Sequence, residues 1–594
     1  MAKKRKRLLC TRDFVELLKD ENELWVLEEP VEPDLELAQI QREVCRGKGP
    51  AVLFTNVKGS RFPVATNLYG SERRLELAFG REPHDFVLQL AETVANLMPP
   101  DARKLWNARR LLRKGLRIGT KKRKTGPVLA NRISPPDVTL LPQIRGWPED
   151  GGAFVTLPLV YTESPVTGKS NLGMYRIQLF DRNRVGMHIQ IHRGGGFHYF
   201  EAERQNMSLP ARIFVGGPPA LTLAAIAPLP EDVPELLFAS LLMGEKVAVA
   251  RPDDLGIGLV LESDFSLQGR IPPGLRRPEG PFGDHYGYYS LCHDYPFLEV
   301  ESIYHRNNAV YPATIVGRPP QEDHYIAEYL QEILAPLFPL VMPNVKQVWA
   351  YEESGVHSLA GAVVKSRYRR EAFTAALRIL SEGHLSMTKF LLATDQDCDI
   401  RDFRALLTTV LERADLRTDL YVLSNTSQDT LDYTGPRVNE GSKAILLGVG
   451  DKKRDLKSSW NGDFKNCGFS SAVLFCPGVL CVKGDPYRLK PDLAQELVRE
   501  PTIQRFALVF LLDDPQAAAG SAEDFIWHAF TRFEPAADIY GNRQVERFHL
   551  GIRGPAVFDC RMKPWYPKVL EEDPDVAKKV EEKWGKTIDS ICQP

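Results

Sequence analysis

The chain has 594 residues, 43% hydrophobic and 26% charged, a composition that folds throughout and excludes both a disordered chain and a minimal binding module. Seventy-six Lys and Arg balance 77 Asp and Glu, so the net charge of -1 gives no general attraction to nucleic acid or an anionic membrane; any such role rests on a local patch. The nine cysteines include no C-x-x-C pair, which argues against a zinc ribbon or a disulfide framework. Five basic residues, Lys3 to Arg7, precede only Leu8 and Leu9, and nowhere do 18 apolar residues run together. A reducing cytoplasm is the expected location.

Residues 12 to 100 read as mixed α/β. Phe14, Leu17 and Leu18 have the spacing of an amphipathic opening helix, and Leu37, Ile40 and Val44 suit a second between Asp34 and Cys45. Eleven basic residues lie between Asp101 and Lys124, with Leu105, Trp106, Leu111, Leu112 and Leu116 interleaved at helical spacing. This predicts a basic amphipathic helix followed by a loop at Lys121 to Lys124. A solvated face and a nucleic-acid or membrane contact both fit it.

From Gly151 to Arg318, short β-like runs broken by Gly, Pro and Asn predict an antiparallel barrel or sandwich. From Asp323 to Lys452, strand-like and helix-like stretches alternate: Lys389 to Thr394 predicts a strand, Asp402 to Ala414 a helix. Phe403 to Asp415 has a weak echo about 120 residues later, at Phe525 to Asp538, which reads as a partial repeat. Val576, Val580, Trp584 and Ile588, four apart, predict a terminal helix docked on the protein or on a partner chain. The expected domains are 1–130, 131–322, 323–460 and an extension, 461–594. The fold class is α+β / α/β multidomain, a central barrel or sandwich flanked by N- and C-terminal α/β domains.

Candidate chemistry begins at Tyr175 to His192. Apolar Met187, Ile189 and Ile191 alternate with polar His188, Gln190 and His192, and Arg176 and Gln178 alternate with Tyr175, Ile177 and Leu179. Period two predicts a hairpin turning at Asp181 to Asn183, with Arg176 opposite His188 on the polar face. The segment runs into Gly194-Gly195-Gly196, where backbone N–H groups can approach an anion. Glu235 follows Asp232 and Pro234 ahead of Leu236 to Met243, which reads as a capped helix start or as a carboxylate ligand held by that helix. Glu279 and Asp284 lie in P-E-G-P-F-G-D-H-Y-G-Y-Y, Pro278 to Tyr289. They are turn formers, or two acids bent toward one cavity where burial raises one pKa and makes a proton donor. Gly435 to Lys443 is no P-loop, because its Ser and Lys are reversed.

Together these strings resemble the UbiD family of reversible (de)carboxylases that use prenylated FMN, which implies that the central domain is a split β-barrel carrying the flavin. The resemblance is an ordered set: N-L-G-M-Y-R from Asn171, I-H-R-G-G from Ile191, Glu235, P-E-G-P-F-G-D-H from Pro278, G-R-P-P from Gly317 and G-S-K from Gly441. It implies that Asn171, His192 and Glu235 hold Mn2+ or a similar divalent metal against the flavin phosphate, with K+ as a further ion. It implies that Arg176 clamps the substrate carboxylate, Glu279 orients Arg176, and Asp284 donates the proton that replaces carbon dioxide. Met174, Tyr175, Arg176, His188, Ile189, Gln190, Arg193, Gly194 and Lys443 match flavin-contacting positions. The implied partners are an aromatic acid substrate, a flavin prenyltransferase and further copies of the chain, as a dimer or hexamer. The implied function is decarboxylation of a hydroxybenzoate- or naphthoate-type acid in menaquinone or ubiquinone biosynthesis. An aryl carboxylase is the rival within enzymes, and a nucleic-acid or membrane-surface protein built on the basic segments is the rival outside them.

Overall fold

The period-two runs fold as strands of one open, nine-stranded antiparallel sheet. In spatial order these are Phe154–Val155, Ile177–Leu179, Arg184–Met187, Phe297–His305, Phe265–Ile271, Leu209–Val215, Pro158–Glu163 and Ser170–Met174, with Asn131–Ile133 also paired to Phe297–His305. Its two end strands do not pair with each other, so the curled sheet is a half-barrel, in keeping with the split barrel that the family resemblance implies. The computed structural model describes residues 7–97, 104, 109, 115–190, 194–229, 233–464 and 468–592. Contacts divide the chain into two units, residues 1–333 with 569–594, and residues 334–568.

In the first unit the opening helix, Thr11–Asp20, buries Phe14, Val15 and Leu18, and Glu36–Arg46 buries Leu37, Ile40 and Val44, as their spacing predicts. A four-stranded sheet combines Leu24–Leu27, Ala51–Phe54, Val64–Thr66 and Tyr311–Pro312. The tail helix, Pro574–Ile591, starts at Asp573, whose carboxylate accepts from the N–H groups of Asp575 and Val576 at 3.0 Å. It packs on Glu36–Arg46 and adds Val580, Trp584 and Ile588 to the core that holds Val160, Ile177 and Leu298. At about 1.5–3 kcal/mol for each large apolar side chain, that burial holds the helix in place.

The basic segment departs from its expected form. Thr120–Lys122 is not loop but a strand, parallel to Val247–Ala250, because alternation lets its backbone pair while Lys121 reaches Glu245 at 3.6 Å. Most of residues 101–114 lie outside the described residues.

The second unit contains two five-stranded sheets. The predicted strand and helix are Phe390–Thr394 and Phe403–Arg413. No described helix is long and apolar enough to cross a membrane.

Candidate active site

The hairpin register decides which polar side chains meet. Met187 pairs with Ile177 and Gly186 with Gln178, which sets His188 against Arg176, and the His188 N–H donates to the Arg176 carbonyl at 3.3 Å. Phe180 and Arg184 close the predicted three-residue turn. Gln178, on the same face, donates to the Gly151 carbonyl at 2.8 Å and accepts from the Gly280 N–H at 2.9 Å, fixing the entry to the acidic loop.

That loop is built from its punctuation. Glu279 ends a short ribbon, Arg277–Glu279 paired with His293–Tyr295, a correction to an all-loop reading; a two-stranded ribbon tolerates Pro278 where a central strand does not. Beyond it Gly283 is required by contact, since a Cβ there would lie 2.1 Å from the Trp147 ring. Asp150 accepts from the Gly283 N–H at 2.7 Å and from Trp147 and Gly146 at 2.9 and 3.0 Å, tying the loop to the first unit's body. From the far side, the Leu570 N–H donates to the Gly287 carbonyl at 3.0 Å and Val569 bridges to Tyr288.

Arg176, Glu279 and Asp284 come together on this frame, each under 9% exposed. Arg176 Nε donates to Glu279 Oε1 at 2.8 Å, and Nη2 donates to Glu279 Oε2 at 2.9 Å and to Ser290 Oγ at 2.8 Å. Nη1 donates to Asp284 Oδ2. The Phe282 ring lies 4.9 Å from the guanidinium carbon. His188 Nδ1 is 3.1 Å from Glu279 Oε2, and its ring lies tilted against Tyr295, centroids 4.3 Å apart.

These contacts reverse one expectation. Burial alone pushes the Glu279 carboxyl up, but Arg176 and His188 outweigh it and hold the carboxyl at about 2. Burial likewise raises Asp284, while hydrogen bonds from the His285 ring at 2.7 Å and its N–H at 2.8 Å, with Arg176, hold it well below the usual carboxylate range. Burial, then Arg176, lowers the His188 pKa, so the ring is neutral near pH 7. An ionised Glu279 only accepts, so Nδ1 carries the His188 proton and Nε2 is a bare acceptor. No described residue partners that buried Nε2.

At the other end of the hairpin, Gly194 opens the Gly194–Arg204 helix, and a Cβ there would lie 2.1 Å from Asn171 Oδ1. Tyr175 Oη accepts from the Gly195 N–H at 3.3 Å and from Asn171 Nδ2 at 3.4 Å. Glu235 is not a capping-box residue: Pro234 precedes the Glu235–Met243 helix without a side-chain cap, and the Glu235 carboxylate accepts from the Leu172 N–H at 3.0 Å, beside Asn171. Burial raises its pKa. Ile191, His192 and Arg193 lie outside the described residues, so the structure places two of the three expected metal ligands. Among the described residues no cluster of three His, Cys, Asp or Glu side chains stands ready for a metal. Met174 ends the Ser170–Met174 strand, and Ile189 and Gln190 continue from Arg184–Met187. Lys443 belongs to the second unit, where its ammonium donates to the Thr388 carbonyl at 3.1 Å and burial lowers its pKa to about 8.

Sequence reasoning left Asp150, His285, Ser290 and Tyr295 without roles. His285 is legible as the neighbour of Asp284 in the acidic string. The other three are brought in by tertiary contacts that carry no local signal.

Three family models match residues 15–94, 120–319 and 324–448: the N-terminal, Rift-related and C-terminal domains of the 3-octaprenyl-4-hydroxybenzoate carboxy-lyase UbiD. A Chlamydia pneumoniae protein, named as one subunit of a 4-hydroxybenzoate decarboxylase, is 46% identical over 574 residues, 96% of this chain and 97% of that one. The closed form of vanillic acid decarboxylase from Sedimentibacter hydroxybenzoicus is similar with a TM-score of 0.67, at 24% identity, over 84% of this chain and 100% of that one. An evolved dimeric form of the UbiD-class enzyme HmfF from Pelotomaculum thermopropionicum, in complex with prFMN, gives 0.59 at 21% identity over 74% and 94%.

Proposed function

This chain belongs to the UbiD family and is an aromatic-acid carboxy-lyase of that class, and we propose that its first unit decarboxylates a hydroxybenzoate- or naphthoate-type acid non-oxidatively with prenylated FMN and a divalent metal. The observation that carries the reading is the buried Arg176 guanidinium shared between two ionised carboxylates, Glu279 and Asp284.

The residues fit a phosphate-bearing flavin. The Gly194 helix opens where only a glycine leaves room beside Asn171, and His188 Nε2 is a buried acceptor that lacks a protein partner among the described residues. Met174, Tyr175, Arg176, His188, Ile189, Gln190, Arg193 and Gly194 would hold the flavin. Asn171, His192 and Glu235 would hold Mn2+, an amide oxygen, an imidazole and a carboxylate being a hard-to-borderline donor set, with K+ as a second ion. The bound cofactor supplies the electron sink that a ring carbon losing its carboxylate requires.

The chain's own residues bind, orient and move a proton. Glu279 takes two guanidinium N–H groups and fixes the fork; His188 locks Glu279 in turn. A substrate carboxylate competes with Asp284 for Nη1. Displaced from Arg176 yet still buried, Asp284 loses part of what keeps it ionised, so its pKa climbs and it takes a proton from solvent. When the ring-to-carboxylate bond breaks, carbon dioxide leaves without the bonding pair, and Asp284 gives the ring carbon the proton that the pair takes up. The depressed resting pKa and the donor role are thereby reconciled: the substrate itself arms the acid.

The family description names a prenylated hydroxybenzoate and the Chlamydia pneumoniae relative a 4-hydroxybenzoate, which supports a place in quinone assembly, menaquinone or ubiquinone. A cytoplasmic location and a flavin prenyltransferase as cofactor supplier belong to the same reading. An oligomer of this chain is part of the reading. Carbon dioxide release from an aryl acid panel by the flavin-loaded protein tests it, and carbon dioxide exchange reads the reverse, carboxylating direction.

A further inference from the structure

The two sheets of the second unit repeat one another. In the first, Val345–Ala350, Leu359–Val364, Phe390–Thr394, Glu440–Gly448 and Leu420–Ser427 lie side by side, paired antiparallel, parallel, parallel and antiparallel. In the second, Phe469–Cys476, Val479–Gly484, Leu508–Leu512, His549–Asp559 and Ile539–Glu546 have the same order and the same senses. Each final hairpin carries a register shift, at Leu423/Thr426 and at Tyr540/Asn542. Each places a helix between its third and fourth strands in sequence, Phe403–Arg413 and Ala522–Phe530. The second copy lies past residue 448, where the family match ends.

Their contacts are reciprocal. The chain entering the first hairpin meets the second copy's last strand, with the Ile552 N–H donating to the Leu416 carbonyl at 3.0 Å. The chain entering the second hairpin meets the first copy's last strand, with the Ala536 N–H donating to Ser442 Oγ at 2.9 Å and Ser442 Oγ donating to Glu534 at 2.8 Å. The first copy's helix packs on the end of the second copy's first strand, Phe403 to Phe475 at 6.2 Å, with the Arg404 guanidinium 4.7 Å from the Phe475 ring. The second copy's helix packs on Glu352–Ser354, just after the first copy's first strand. At the centre the two helices meet through Phe403 and Phe525, ring centroids 6.0 Å apart, within one core drawn from both copies.

Contact of i with j and of j with i is the mark of an isologous pair. We infer that residues 469–559 are a second copy of residues 345–448 whose task is to be the first copy's partner, so that a self-complementary dimer face is filled within one chain. The second copy lacks the first one's two buried lysines, Lys389 and Lys443. Ala444 N–H to Lys389 carbonyl, at 2.8 Å, corresponds to Ala556 N–H to Ala507 carbonyl, at 3.1 Å, which aligns Lys389 with Ala507 and Lys443 with Pro555. It is a partner without the basic pair, and so without the Lys389–Asp432 ion pair at 2.7 Å. Any association of whole chains then uses other surfaces.

Light scattering and thermal melting of the full chain test this on wild type, Phe403→Ala, Phe525→Ala and the double variant. The expected result is one particle mass throughout, a lower Tm in each single variant, and a double-variant loss smaller than the sum of the two, because rings in contact do not act independently. A particle mass that falls in any variant would show that the face joins separate chains. A Tm loss at one ring only, or losses that add, would remove the ring contact between the two copies. Either result overturns the inference. Where an alanine variant does not fold, Phe403→Leu and Phe525→Leu give the same reading.

Discussion

Arg176 and Glu279 meet edge to edge, Nε to Oε1 at 2.8 Å and Nη2 to Oε2 at 2.9 Å, with Glu279 fully buried. A lysine keeps the charge and loses the fork. Arg176→Lys is expected to fold and to lower kcat/KM for the aryl acid by about 100-fold or more, equivalent to one or two charge-assisted hydrogen bonds. Steady-state kinetics on flavin-loaded protein check this.

Arming of Asp284 by the substrate has a proton signature. At pH 7 in weak buffer, binding of an unreactive aryl carboxylate is expected to draw roughly one proton from solution per site, as a buried carboxylate losing its cation becomes neutral. Asp284→Asn is expected to abolish the uptake. An indicator dye, or calorimetry in buffers of different ionisation enthalpy, measures it.

The Glu279 carboxyl sits at about 2 in the folded protein against an ordinary 4.5. A depressed carboxyl adds stability that is fully present above 4.5 and is lost as pH falls toward 2, on the order of 3 kcal/mol. Denaturant unfolding at pH 7 and pH 3 should show a drop in wild type that is smaller in Glu279→Gln. An equal drop in both would remove Glu279 as its source.

The segment at residues 569–570 is expected to steady the acidic loop through the Leu570 N–H on the Gly287 carbonyl. Leu570→Pro deletes that donor, and kcat is expected to fall about 10-fold, as for loss of one hydrogen bond at roughly 1.5 kcal/mol, with KM little changed. Leu570→Ala keeps the N–H and is expected to behave as wild type.

Much of this was legible because period and punctuation act locally. Alternation from Tyr175 to His192 places Arg176 opposite His188, and four-residue spacing from Val576 to Ile588 predicts the tail helix, since both depend on near neighbours along the chain. The pKa of Asp284 was not legible: its sign depends on Arg176 and His285 outweighing burial, a balance of tertiary distances. Asp150 reaches Gly283 across 133 residues, and nothing near either residue announces it. The echo of Phe403 at Phe525 pointed to a repeat but matched the wrong residues, since the two helices start at Phe403 and Ala522; the shared strand order and reciprocal contacts exist only in the fold.

The most direct measurement is carbon dioxide release from a panel of hydroxybenzoates and hydroxynaphthoates by protein co-expressed with a flavin prenyltransferase, with visible spectra recorded alongside, for wild type and Asp284→Asn. The account predicts flavin in both proteins and carbon dioxide from at least one acid with wild type alone, the variant losing at least about 100-fold in rate. A flavin-loaded wild type that neither releases nor exchanges carbon dioxide with any aryl acid, or an Asp284→Asn protein of full activity, would contradict it.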